Sequence, residues 1–216
     1  MIRTILKMIY PSSCIFCNKN LEFNKQLEVC DDCYNKLNFF DNNNCCDKVE
    51  YVKYYDKVLA AFFYDGEIKK LIKEFKYKHK AYLYRTFARL IFDNIKNIEA
   101  DIMLSVPLYQ DRQKERGYNQ AHLLAYYMSK LMKIKYCEKV LKRIKTTDSL
   151  ALCNKMQRSN VIKGAFKVED KEKIRDKNII IIDDVFTTGA TINECSKILK
   201  LNGAKNITAI VLAKTK

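Results

Sequence analysis

Two stretches of the sequence carry residue types arranged for chemistry. In IIIIDDVFTTGAT (179–191), four isoleucines run into Asp183 and Asp184 and then into a loop of Thr187, Thr188, Gly189, Ala190 and Thr191. A continuous apolar run reads as a strand buried on both faces, and its carboxyl end is where an open α/β sheet binds ligands. The loop leads into a helix whose first backbone N–H groups and dipole favour an anion such as phosphate. Gly189 lets the backbone approach that anion closely. Two carboxylates repel a phosphate, so they hold what lies beside it: the vicinal hydroxyls of a ribose, or a Mg²⁺ ion. The stretch therefore reads as a ribose-5-phosphate site. The bland alternative is a strand end followed by ordinary polar turn residues.

The second stretch is a pair of knuckles, Cys14-Ile-Phe-Cys17 and Cys30-Asp-Asp-Cys33, with twelve residues between them. Four thiolates at this spacing surround a tetrahedral Zn²⁺, and an all-cysteine site is closed and therefore structural. Pro11 and Asn18 suit the turns. Disulfides are the competing pairing. Against them, the N-terminal MIRTILKMIYPSSC carries Arg3 and Lys7 within an apolar stretch too short for a signal peptide. It reads as a small amphipathic entry segment of a cytoplasmic protein, where thiols stay reduced. Cys137, Cys153 and Cys195 read as free thiols, and Cys45 and Cys46, with no matching pair, as loop residues.

The elements that must position these groups follow from periodicity. Residues 1–45 form the zinc-ribbon module, FDNNNCCDK (40–48) reads as a linker, and 50–216 form an α/β domain. The aromatic run 52–64 reads as a strand ended by Gly66. Ile68, Leu71, Ile72 and Phe75 repeat at helical spacing, as do Leu83, Phe87, Leu90 and Ile91. A strand over 101–108 precedes a polar, arginine-bearing loop over 110–120, then a helix with Leu124, Tyr127, Met128 and Leu131 inward. A strand or short extension lies near 138–143, and an irregular polar segment runs to about 160. Strand 178–184, helix 191–201, Gly203 as its C-cap and strand 206–213 complete the chain. Strands alternating with helices imply a mostly parallel sheet flanked by helices.

Hydrophobic residues make up 48% of the 216, enough for a core and against global disorder. The apolar runs are far short of a membrane span, which argues against insertion. The formal net charge of +15 favours phosphate-bearing partners. Within 67–85, Lys69, Lys70, Lys73, Lys76, Lys78 and Lys80 alternate with Phe75, Tyr77, Tyr82 and Tyr84. Lysines interleaved with aromatics suit a single-stranded nucleic acid, although about half of these aromatics sit at core spacing. His79 and His122 have no partner spacing and read as surface or packing residues.

DDVFTTGAT resembles the phosphoribosyl-pyrophosphate (PRPP) signature of type I phosphoribosyltransferases. The chain from the first knuckle to the last strand resembles the ComF family, the competence-associated phosphoribosyltransferase-like proteins. The resembling segments are YDGEIKKLIKEFKYK (64–78), SVPLYQDRQKERGYNQA (105–121), RIKTTDSL (143–150), NVIKGAF (160–166) and IIDDVFTTGATINECSKILKLNGAKNI (181–207), and all five glycines fall in them.

The resemblance implies a type I phosphoribosyltransferase-like fold with an N-terminal zinc ribbon. It implies that Asp183 and Asp184 hold the ribose hydroxyls of PRPP, carried with Mg²⁺, and that the backbone from Thr187 to Thr191 holds the 5-phosphate. Ser105, Val106, Pro107 and Leu108 would form the pyrophosphate loop, with Arg112 and Arg116 on anionic oxygen, a task suited to the guanidinium fork. Asn119 and Gln120 fit either ligand contact or helix capping. Lys142, Arg143 and Lys145 would stand in a mobile hood. One departure is Leu150 where the family has Gln. The resemblance further implies handling of incoming single-stranded DNA during natural transformation, alongside a DNA-uptake machinery. An active transferase on an unidentified acceptor, or a PRPP-sensing regulator, is the alternative.

Overall fold

The structure is a computed structural model and describes residues 12–22, 25, 27–42, 52–95, 98–146 and 161–215. The entry segment, Cys45, Cys46, Cys153 and the stretch from Thr147 to Leu150 lie outside the described residues.

The short helix α1 (Asp31–Tyr34) belongs to the cysteine module. Strand β1 (Lys57–Phe63) leads into α2 (Gly66–Tyr77) and α3 (Leu83–Asn94). Strand β2 (Ile102–Ser105) is followed by α4 (Gln110–Arg116) and α5 (Gln120–Met132). Strand β3 (Lys135–Tyr136) precedes β4 (Leu141–Arg143) and β5 (Phe166–Val168). The chain closes with β6 (Asn178–Phe186), α6 (Ala190–Leu201) and β7 (Asn206–Lys214). Five strands form one sheet in the order β1-β7-β6-β2-β3, every pair parallel, and β4 and β5 form a separate antiparallel pair.

The central strand explains why the isoleucine run is unbroken. Ile180 and Ile182 face one core with α2, α3 and α5, while Ile179 and Ile181 face the other with α6 and the β4–β5 pair. With both faces covered, no polar residue is tolerated until the strand reaches its carboxyl end.

Two expectations differ, at the 110–120 loop and at the linker. The polar segment expected as a loop over 110–120 is mostly helix α4. It buries nothing, so its sequence has no apolar period to read, and it ends at Gly117 in the left-handed region (φ 77°). Gly203 closes α6 as the sequence suggests: it follows the Asn202 C-cap at φ 94°, its N–H donates to the Lys200 carbonyl at 3.0 Å, and the Ala204 N–H donates to the Leu199 carbonyl at 3.1 Å. The first residues of the expected linker are fixed to β1: Phe40 is buried, and the Asn42 amide exchanges two 2.9 Å hydrogen bonds with the Ala60 backbone. The cysteine module shares the core of the main sheet, with Cys14, Leu21, Val29 and Cys30 in the same cluster as Ile72, Phe87 and Ile210.

Candidate functional site

In the head of the chain, the sulfurs of Cys14, Cys17, Cys30 and Cys33 all lie within 4.8 Å of one another. The Cys17 and Cys30 sulfurs are 3.7 Å apart. That is too long for a disulfide bond of about 2.05 Å. It matches the tetrahedral edge of about 3.8 Å that Zn–S bonds of about 2.3 Å require. Each knuckle is held by its backbone: Asn18 sits at φ 62°, and its N–H donates 2.9 Å to the Cys14 carbonyl. Burial raises the Cys14 thiol, but the backbone amides of Cys30, Cys17 and Phe16 bring it down to about 6, toward the thiolate a metal needs. The four residues fit a structural zinc ion.

At the sheet's carboxyl edge, Ser105 pairs with Ile182 and Asp183 with Val211, so the ends of β2, β6 and β7 converge. Asp183 and Asp184 lie within β6 rather than beyond it, because β7 stays paired with the strand as far as Phe186. Alternation sends them to opposite faces. Asp184 is buried and receives Lys76 of α2, with Lys76 Nζ 2.7 Å from Asp184 Oδ1. Burial works against the Lys76 charge, but Asp184 and then Asp183 hold its ammonium above the ordinary value. Asp183 Oδ1 accepts a 2.8 Å hydrogen bond from the Asp184 N–H. Burial, and then the Asp184 charge, push the Asp183 carboxyl up to about 7.

Lys76 is therefore not on the nucleic-acid face that the sequence suggested. It continues the Ile68, Ile72 stripe at four-residue spacing, which points it inward. Lys69, Lys70, Lys73 and Lys78 are exposed, while Lys78 and Lys80 both clamp Glu74, at 3.0 and 2.8 Å. The exposed lysines line a groove of about 410 Å³ with Gly66, Glu74 and Tyr77.

Arg143 departs from the expected exposed hood in the same way. It is buried, with its guanidinium carbon 5.6 Å from the Phe166 ring centroid. Burial and then the Arg112 charge lower it from its ordinary value, Asp183 acts in the opposite direction, and Arg116 adds to the lowering. Lys142 and Lys145 remain exposed. Lys76 and Arg143 thus act on the acid pair, while Arg112 acts on Arg143 and Arg116 on both Arg143 and Lys76. Arg116 also stacks on Tyr77 at 4.9 Å and donates to its hydroxyl at 3.2 Å.

The Thr187–Thr191 loop follows β6 directly. Gly189 occupies the left-handed region at φ 76° as the N-cap of α6. The Ala190 N–H donates to Thr188 Oγ1 at 3.4 Å, and Thr215 Oγ1 donates to the Thr187 carbonyl at 3.1 Å. On the neighbouring strand, the Val106 N–H donates to the Ile182 carbonyl at 2.9 Å. Asn119 caps α5, accepting from Ala121 and His122, and its Nδ2 donates 3.0 Å to the Val106 carbonyl. Gln120 is buried between Arg116 and the Phe75 carbonyl. Asn119 is thus a positioning group for the 105–108 loop, while Gln120 ties Arg116 to the Phe75 carbonyl of α2.

Beside that loop, a cleft of about 750 Å³ opens, lined by Ser105, Pro107, Leu108, His122, Tyr136 and Lys142 among others. The Tyr136 hydroxyl lies 3.0 Å from Ser105 Oγ and 2.8 Å from His122 Nδ1, and His122 Nδ1 lies 3.8 Å from Glu138. Burial pushes the Tyr136 phenol up to about 12. No sequence spacing links Ser105, His122 and Tyr136, because β2, α5 and β3 bring them together. His79 is exposed at φ 53° after α2.

The acid pair alone is not a magnesium cage. Asp184 is already neutralised by Lys76, and Asp183 is held toward its neutral form. Magnesium is commonly held by one or two carboxylates together with substrate phosphates, so these residues fit an ion that arrives with a ligand. Among the described residues, no helix is long and apolar enough to cross a membrane.

Residues 5–52 match the double zinc ribbon domain and residues 121–216 the phosphoribosyl transferase domain. The chain is 29% identical over 209 residues to Competence protein F of Haemophilus influenzae, covering 93% of this chain and 90% of that one. It is 25% identical over 168 residues to DNA utilization protein YhgH of Escherichia coli O6:H1, covering 74% and 73%. It is 27% identical over 165 residues to Competence protein ComFC of Bacillus subtilis, covering 72% and 63%. The chain is thus a homologue of Competence protein F, ComFC and YhgH, in which a double zinc ribbon domain precedes a phosphoribosyl transferase domain.

Proposed function

We propose that the chain binds PRPP or a related ribose 5-phosphate ligand with Mg²⁺, and that it acts in the handling of incoming single-stranded DNA during natural transformation. The observation that carries the ligand reading is the acid pair near the end of β6, with Lys76 and Arg143 acting on it and the Gly189 turn into α6 following closely. Carboxylates suit ribose hydroxyls. The amides of the 187–191 loop suit a terminal phosphate. The arginines suit a pyrophosphate, where fixed positive charge is most useful in a cleft with little water. The DNA reading draws on the names of the relatives, which speak of competence and of DNA utilization, and on the lysine face of α2.

What the chain's own residues would do is position and neutralise. Asp183 and Asp184 orient the ribose, the 187–191 backbone anchors its 5-phosphate, and Arg112 and Arg116 meet the pyrophosphate. Mg²⁺ arriving with the ligand neutralises further phosphate charge. A second reading, transfer of the phosphoribosyl group to an acceptor, is favoured by the cleft of about 750 Å³ beside the 105–108 loop, which has room for a second small molecule.

Calorimetric titration with Mg²⁺ and PRPP tests the ligand reading. The expected result is saturable binding that disappears in the Asp183→Asn, Asp184→Asn double variant, with its unfolding midpoint checked first because the variant leaves Lys76 without its partner. Unchanged affinity in that variant overturns it.

A further inference from the structure

We infer that His122, acting through Tyr136, sets which way the Ser105 hydroxyl points at the start of the 105–108 loop, and so tunes that loop for an anionic ligand. The inference rests on the reading of 105–108 as a pyrophosphate loop.

The argument is one of hydrogen-bond inventory. A phenol has one proton to donate, and a serine hydroxyl likewise has one. Tyr136 lies between Ser105 Oγ at 3.0 Å and His122 Nδ1 at 2.8 Å, so it donates along one bond and accepts along the other. With His122 neutral and Nδ1 accepting, Tyr136 donates to the imidazole, and Ser105 must donate to Tyr136. The serine proton is then held by Tyr136 and is not available to a ligand. With His122 protonated, Nδ1–H donates to Tyr136, and the phenol proton passes to Ser105 Oγ as a donated hydrogen bond. The Ser105 proton is then released to donate to an oxyanion in the cleft. The phenol stays neutral throughout, so the change propagates by reversing two bonds and no proton leaves Tyr136.

The surroundings make such a reversal accessible. Histidine is the side chain whose charge changes between pH 5 and 8. From the segment after β3, Glu138 faces Nδ1 at 3.8 Å. From α5, the Tyr126 ring stacks on the imidazole with centroids 6.3 Å apart. Lys139, Lys142, Arg143 and Glu169 line the same cleft, where a bound anion would accept from the released Ser105 hydroxyl. Ligand and proton therefore bind with positive coupling. His122 is a positioning residue in this scheme, since it touches Tyr136 and not the ligand.

The test compares wild type with Tyr136→Phe, which keeps the ring and removes the relay. Calorimetric affinity for PRPP with Mg²⁺ is measured from pH 5.5 to 8.5. PRPP and Asp183 titrate in this range in both proteins, so the readout is the difference between the two profiles. Wild type is expected to bind about as tightly as Tyr136→Phe at the acid end, where Ser105 can donate in both, and to fall on the order of tenfold below it at the alkaline end, where Tyr136 holds the serine proton in wild type alone, an amount suited to one hydrogen bond to a charged group. Parallel profiles overturn the inference. A ligand-independent arm follows the His122 ring nitrogens by NMR, where the chain's two histidines make assignment direct. Tyr136→Phe is expected to shift the His122 tautomer balance at alkaline pH, and an unchanged Nδ1 signal overturns the relay. Should wild type bind no PRPP at any pH, the pyrophosphate-loop reading falls, and the imidazole signal still decides whether the relay exists.

Discussion

Lys76 Nζ lies 2.7 Å from Asp184 Oδ1, with the two side chains only 18% and 12% exposed, so α2 and β6 are joined by an ion pair inside the candidate site. Removing one partner of such a pair leaves an uncompensated charge, while removing both is far milder. Lys76→Met is expected to destabilise the protein by about 3 kcal/mol in urea unfolding. Lys76→Met combined with Asp184→Asn should recover much of that loss, giving a coupling of about 1 kcal/mol or more in the double-mutant cycle. Lys69→Ala, on the exposed face of the same helix, should change stability by less than about 0.5 kcal/mol. Equal effects from Lys76 and Lys69 contradict the pairing.

Asp183 is raised to about 7 from an ordinary 3.8, first by burial and then by Asp184. A carboxyl that is harder to ionise when folded binds more protons in the native state than in the unfolded one. Its contribution to stability is therefore complete below pH 4 and is lost as pH climbs toward 7. Asp183→Asn removes that loss. The variant is expected to be more stable than wild type at pH 8, by roughly 2–4 kcal/mol, with the advantage shrinking toward pH 4.5. Denaturant midpoints across that range are the check, and a variant less stable at pH 8 would show that the ionised carboxylate is well solvated or well paired.

The zinc site makes a prediction about the whole domain, because Cys14 and Cys30 share a core cluster with Ile72, Phe87 and Ile210. Purified protein should carry one Zn²⁺ on Cys14, Cys17, Cys30 and Cys33. Cys17→Ser should lose it and should lower the unfolding midpoint of the phosphoribosyl transferase domain as well, since metal binding supplies folding free energy to whatever packs on it. Metal content by elemental analysis together with the thermal transition reads both effects. Full native reactivity of all four thiols in untreated protein is the contrary result.

Much of this was legible because the informative signals are local. IIIIDD reports a two-faced central strand, paired CxxC reports a metal knuckle, and Gly189 reports a left-handed turn. Each follows from a few adjacent residues. What was not legible depends on elements meeting. Lys76 was counted with five other lysines although its spacing from Ile68 and Ile72 placed it on the buried stripe. His122 looked isolated because its partners, Ser105 and Tyr136, lie 17 and 14 residues away on two different strands. Helix α4 was read as a loop because it buries no side chain and so leaves no period in the sequence.

The last prediction concerns DNA and follows from the correction at Lys76. The exposed lysines of α2 are Lys69, Lys70, Lys73 and Lys78, beside the exposed ring of Tyr77. Lys78 is already engaged by Glu74 at 3.0 Å and Lys70 by Glu67 at 3.5 Å, so Lys69 and Lys73 are expected to contribute most. If this face binds single strands, affinity should fall steeply with salt, by a slope of about −0.7 per phosphate contact. Changing Lys69, Lys70 and Lys73 to Gln should weaken binding uniformly across sequences and flatten that slope. Asp183→Asn with Asp184→Asn should leave DNA affinity largely intact, because Asp184 meets α2 only at the inward-facing Lys76 and neither acid lines the exposed lysine groove. Stacking and charge dominate single-strand sites, so little sequence preference is expected. The deciding comparison is between strand types at near-physiological salt. Preference for single strands, lost in the lysine variant, supports a DNA role for this face. Equal and weak binding of duplex and single strand there reflects only the net charge of +15, and the ligand site alone would then define what the protein does.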